Sequence, residues 1–333
     1  MPEELFLLNN LGTFISFCDV GASIKDIIIT MKSGDKRTIT LHPMNESAFA
    51  SSLGYYGKTI GRNAGRIENG KFTLEGREYR IKEQKASHGL HGGDESFAFQ
   101  KFAFAKRETQ EHSSIVFTHF SRDGEGGFPG KAIISVTYSL ARLYNRLEIS
   151  YAGKCSQNTL LNMTNHTYFN LDGNGLILDH SLTINASSFA EIDSRLLPKK
   201  VLPVDKTMDF RESKLIKKNI EDDHMQKISK GYDHPYILDN SSLDKPSAIL
   251  VSSDKDLTLN IYTTYPVLVF YSGNYPTSEE MNIVSHMAKY QALALEPQYL
   301  PNAINESLGQ TKTGFLTAGS SYQETIIYEF VTK

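Results

Sequence analysis

Apolar and polar residues alternate along most of the chain with a period of two. That is the spacing of strands with one buried face. Leu147-Glu148-Ile149-Ser150-Tyr151, Leu257-Thr258-Leu259-Asn260-Ile261-Tyr262 and Ile326-Ile327-Tyr328-Glu329-Phe330 all follow it. The run 133–140 is rich in β-branched and aromatic residues, which favour strands. Phe72, Leu74, Tyr79 and Ile81 flank Glu75-Gly76, which predicts a hairpin closed by a tight turn. Gly, Asn, Asp and Pro break up the runs at short intervals, which predicts many short strands in a sandwich or barrel, not alternating β–α units. Only 213–227 carries a weak helical pattern. The polar, lysine-rich stretch 205–230 reads as a surface insertion. No Ser/Gly/Pro linker divides the chain, so one large all-β domain over 1–333 is expected.

Composition narrows the class. Of 333 residues 40% are hydrophobic and 22% charged, which excludes a disordered chain. The net charge of −3 lacks the basic excess of a nucleic-acid or membrane-surface binder, so neither partner is expected. Cys18 and Cys155 are too few for a disulfide framework or a cysteine-rich zinc site, and suit a reducing compartment. Glu3 and Glu4 stand where a signal peptide has basic residues, and no run reaches the ~20 apolar residues of a membrane span. A soluble cytoplasmic protein is expected.

Cofactor motifs fail on inspection. Gly57-Lys58-Thr59 looks like the end of a phosphate loop, but Ser52 stands where that loop needs its first glycine. No Gly-x-Gly-x-x-Gly follows a strand. His88 and His91 flank Gly89 in a loop, with no third ligand at a telling spacing. Chemistry by side chains alone, with no metal and no cofactor, is the expectation.

Five constellations remain. Read as one strand, 161–171 places Asn162, Thr164, His166, Tyr168 and Asn170 on a single face. Hydrogen-bonding groups around an aromatic ring suit a sugar, although a solvated strand face would look alike. In 290–297, Ala292 and Ala294 share a face with Glu296 and leave room for a ligand, before Pro297 ends the strand. A strand-end glutamate in water is the plain alternative. Arg62 and Arg66 could grip oxygens bidentately or be ordinary surface charge. His91 among glycines could approach a ligand closely or sit in a flexible turn. Asp233 lies between aromatics in Gly231-Tyr232-Asp233-His234-Pro235-Tyr236, which is equally an Asx turn before proline.

Taken in order, these segments resemble the galactose mutarotase (aldose 1-epimerase) family. The resemblance rests on Tyr56-Gly57-Lys58-Thr59-Ile60-Gly61-Arg62-Asn63-Ala64-Gly65-Arg66-Ile67, on Leu90-His91-Gly92-Gly93 and on 123–130. It continues through Asn165-His166-Thr167-Tyr168-Phe169-Asn170-Leu171, Gly231-Tyr232-Asp233-His234-Pro235, 270–274 and Leu295-Glu296-Pro297-Gln298, and so spans essentially the whole chain. It implies a large antiparallel β-sandwich (the galactose mutarotase-like supersandwich) and an isomerase acting on free hexoses such as galactose and glucose. It implies His166 as general acid and Glu296 as general base, with Arg66, His91 and Asp233 holding the sugar. Tyr168 shares the face of His166 and is expected against the sugar ring. Two positions depart from the pattern. Many relatives have Asn where this chain has Gly65, and some have Gln where it has Val269; each change removes a hydrogen bond the sugar could have made and bears on hydroxyl specificity, leaving acid and base intact.

Anomer exchange opens a cyclic hemiacetal. The C1 hydroxyl loses a proton while the ring oxygen gains one, so one acid and one base suffice. At ordinary pKa values, glutamate is ionised at pH 7 and histidine is mostly neutral. A carboxylate, Asp233 or Glu296, is therefore expected to hold His166 charged. Two other readings stay open. One is a sugar sensor on the same fold without turnover. The other is an epimerase for phosphorylated hexoses, whose site should be richer in Arg or Lys. A glycosidase would need a carboxyl pair and ranks last.

Overall fold

The computed structural model describes residues 5–83 and 88–333. Two antiparallel sheets dominate. One has six strands, in the order Tyr168–Phe169, Leu293–Gln298, Val267–Tyr271, Asp233–Ile237, Ser188–Ile192 and Pro198–Pro203. The other has nine, among them Ser321–Thr332 between Leu257–Thr263 and Arg146–Cys155. Their inner faces share one core. Leu268, Phe270, Leu293 and Leu295 come from the six-stranded sheet, and Ile134, Tyr138, Ile149, Ile326 and Tyr328 from the nine-stranded one. Burying each such side chain contributes roughly 1.5–3 kcal/mol.

The predicted all-β sandwich is present. Lys71–Leu74 pairs with Arg77–Arg80, and Glu75 and Gly76 both take positive φ, as the two-residue hairpin turn requires. Four local expectations fail. Segment 161–171 is not one strand: Thr164–Asn165 pairs with Thr59–Ile60, and Tyr168–Phe169 pairs with the Leu293–Gln298 strand. The chain steps between sheets here, so side chains at both sets of alternating positions are buried.

Pro297 does not end its strand. It lies opposite Leu268, beyond the last paired residue of the Tyr168–Phe169 strand, where a missing N–H costs no ladder bond on that side. The stretch 205–230 is more than a surface insertion. Met208, Phe210, Ile216 and Ile220 enter the main core, and Lys214–Leu215 adds the outermost strand of the large sheet. The helix within it is confined to Asp223–Ile228.

Candidate active site

The outer face of the six-stranded sheet floors a pocket of about 280 Å³. Small-molecule sites usually run from about 300 Å³ upward, so this one fits a compact ligand. Strand alternation builds the floor. Leu293 and Leu295 face the core, while Glu296 and Gln298 line the pocket; Ala292 and Ala294, expected to leave room for a ligand, are not among its lining residues. The next strand does the same, with Leu268 and Phe270 inward and Val269 and Tyr271 outward. His91, His166, Tyr168, Arg66, Asp233 and Glu296 all line this one pocket, although they are spread over 230 positions of sequence.

His166 Nε2 lies 3.5 Å from Glu296 Oε1, and the two residues are only 5% and 3% exposed. His166 Nδ1, Glu296 Oε2 and Gln298 Oε1 are buried and make no hydrogen bond. Burial pushes His166 down to about 4. It pushes Glu296 well above the usual carboxylate range, with the Asp233 charge adding to the effect and Arg66 opposing it. The expectation of a charged imidazole beside an ionised carboxylate is therefore corrected: burial favours the neutral form of each. Taking both charges out of water costs more than their attraction returns. Asp233 is also raised by burial, and Arg66, at 3.9 Å, pulls it back.

His91 has a defined tautomer. Its Nδ1 accepts a hydrogen bond from the Gly65 N–H at 3.2 Å, so the ring proton is on Nε2. Burial holds it well below its ordinary pKa, with the His166 and Arg66 charges adding to this, so it is a neutral donor. Its donor atom, that of His166 and a Glu296 oxygen lie within 4.8 Å of one another, as three metal ligands would. As placed, His91 Nδ1 is taken by the Gly65 N–H and Nε2 carries the ring proton, so neither nitrogen has a lone pair free for a metal.

Several residues of the sequence motifs prove structural. Asn162, Thr164 and Asn170 do not line the pocket. Asn162 pins Tyr299 through its backbone N–H and carbonyl, and Asn170 Nδ2 donates to Gln291 O at 2.8 Å. Arg62 points away into a cage formed by Ser121, Pro129 O and Arg122 O. Lys58 is fully buried and donates to Ala50 O and Ala98 O, so it serves backbone rather than phosphate. His88 is not among the pocket residues.

Sequence reading assigned no role to Tyr55, Tyr271, Tyr275 and Gln298, which also line the site. Tyr55 packs edge-on against His91 at 4.8 Å and takes a positive φ of 55°. Tyr271 and Gln298 fall inside the quoted motifs, where strand alternation with Glu296 and Val269 could have found them. Tyr55 comes from a turn, and no local pattern marks it. Gly65, the first departure, has φ +76°, and a Cβ there would meet the Pro301 ring at 2.7 Å.

Fold and site together place a buried histidine beside a buried glutamate in one pocket of a β-sandwich. A family model described as Aldose 1-epimerase matches residues 4–329. An aldose 1-epimerase of Escherichia coli is 32% identical over 333 residues, covering 99% of this chain and 95% of that one. The galactose mutarotase of Homo sapiens is 31% identical, covering 98% and 94%. A solved galactose 1-epimerase from Lactobacillus acidophilus superposes with a TM-score of 0.86 at 27% identity, covering 98% and 93%. The chain belongs to the aldose 1-epimerase family.

Proposed function

We propose that the protein interconverts the α and β anomers of free hexoses, galactose and glucose, with His166 as general acid and Glu296 as general base. The observation that carries this is the His166–Glu296 pair, 3.5 Å apart on a buried floor, each with a second polar atom left unpartnered. Unpartnered buried polar atoms are costly, and a ligand that meets them recovers the cost.

The pair needs one proton to work. With imidazolium and carboxylate, His166 protonates the ring oxygen O5 while Glu296 takes the proton of the C1 hydroxyl. The C1–O5 bond breaks and C1 becomes the aldehyde. The pair is then neutral imidazole and carboxylic acid. That is the arrangement burial favours. Rotation about C1–C2 presents the other aldehyde face, and closure returns both protons. Before each turnover the resting pair moves its proton from Glu296 to His166. His91, Arg66 and Asp233 supply a neutral donor, a cation and a carboxyl group for the other hydroxyls, and Tyr168 an aromatic face.

A phosphorylated substrate is disfavoured. Arg66 is the sole Lys or Arg among the described residues lining the pocket, and it already faces Asp233. The uninterrupted family match supports reading the chain as one domain. Polarimetry tests the proposal. Dissolved α-D-galactose and α-D-glucose should relax to their usual end points faster with protein. Sugar binding without acceleration would mark a sensor instead.

A further inference from the structure

Four side chains lie in one line across the pocket floor. Glu296 is the register partner of Val269, and Val269 that of Pro235. Partners in antiparallel register face the same side, and all three line the pocket. On the other edge of that strand Tyr168 pairs with Ala294, which brings His166, two residues earlier, beside Glu296, two residues later, and His166 Nε2 is 3.5 Å from Glu296 Oε1. The order across the floor is acid, base, then two apolar residues.

Ring opening fixes how a sugar meets this line. O5 must reach His166 and O1 must reach Glu296, and both oxygens are bonded to C1. The other ring bond of C1 leads to C2. With O5 held on the His166 side, C2 comes to lie on the Val269 side. We propose that Val269 and Pro235 face the C2 substituent, so that the enzyme does not read a hydroxyl there and accepts 2-deoxyaldoses as it accepts the parent sugars. This rests on the mutarotase reading. The Val269 side chain has no donor or acceptor, and Pro235 has neither a polar side chain nor an N–H. A C2 hydroxyl over this strip loses water without gaining a partner, so its removal costs the complex little. The adjoining row differs. Asp233 is the register partner of Tyr271, with Arg66 3.9 Å from Asp233, and hydroxyls further round the ring meet polar groups.

The test compares kcat/KM for D-galactose and 2-deoxy-D-galactose by polarimetry, each corrected for its spontaneous rate. Values within about threefold of each other are expected. A loss of about 100-fold or more on the deoxy sugar would overturn the proposal, because sites that hydrogen-bond a hydroxyl reject analogues lacking it at least that strongly. Val269→Thr keeps the shape and adds a hydroxyl, and should raise the preference for galactose over 2-deoxygalactose about fivefold. A folded V269T enzyme with an unchanged ratio would also overturn it. Failure to accelerate galactose at all would instead sink the mutarotase reading.

Discussion

Arg62 and the His166–Glu296 pair are both ionisable groups taken out of water, and they meet opposite fates. The Arg62 guanidinium is surrounded: Nε and Nη2 donate to Ser121 Oγ, Nη1 to Pro129 O, and Nη2 also to Arg122 O. Ser121 Oγ donates onward to Glu125 at 2.6 Å. On the pocket floor, His166 Nδ1, Glu296 Oε2 and Gln298 Oε1 have no such partners. A buried polar group that is satisfied holds the fold together. One left unsatisfied beside a cavity is held ready for something that enters. From sequence, Arg62 reads as a candidate for gripping oxygens or as ordinary surface charge, and neither reading anticipates a buried cage.

The comparison breaks most visibly at Glu296. Glu296→Gln preserves shape but removes the carboxylate proposed as base, and turnover should fall by about 10²–10⁴. Galactose affinity by calorimetry should change little, and a variant with near-normal turnover would remove Glu296 from the chemistry. The acid limb of the kcat/KM profile is the next largest effect. A reactive pair holds one proton. Falling pH adds a second and leaves no base, and rising pH removes the last and leaves no acid. With His166 pushed down to about 4 and Glu296 pushed up, activity should persist through pH 5 and fall only near pH 4. A limb at the ordinary histidine value of ~6.5 would show the imidazole solvated.

Arg62→Met should leave the chemistry alone and strip the cage of its donors, costing about 3 kcal/mol in urea unfolding. If kcat of the folded variant fell by orders of magnitude while stability held, the division between the two regions would be wrong. The smallest effect is expected at Tyr168, whose ring lies 5.0 Å from that of His166. Tyr168→Ala should weaken sugar binding about three- to tenfold. Unchanged affinity in calorimetry would take the ring out of the site.

Much of this was legible in the chain. Period-two alternation reports which face of a strand is buried, so the all-β class and the hairpin at Glu75-Gly76 followed directly. The side of the strand that Glu296 takes was readable for the same reason, although Ala292 and Ala294 do not line the pocket. The asparagines around His166 misled because alternation assumes one straight strand, and the segment changes sheets between Asn165 and Tyr168. Roles that depend on distant partners were not legible. Arg62 and Arg66 stand four apart in one loop, and only the cage around Ser121 tells them apart. The protonation of His166 was misjudged because burial by the surrounding fold, not the nearest carboxylate, decides it.

The Pro301 ring, which fills the space a Cβ at position 65 would need, bears on how this site can evolve. A left-handed backbone tolerates asparagine, so the conformation alone would admit a polar side chain at position 65. The ring forbids it by occupying the space. The two positions are therefore epistatic, and the order of change matters. Gly65→Asn on its own should impair the protein, while the same change after Pro301→Gly, which removes both the Cγ at 2.7 Å and the Cβ at 2.8 Å, should be tolerated. A lineage can gain a side chain at position 65 only by giving up the proline first.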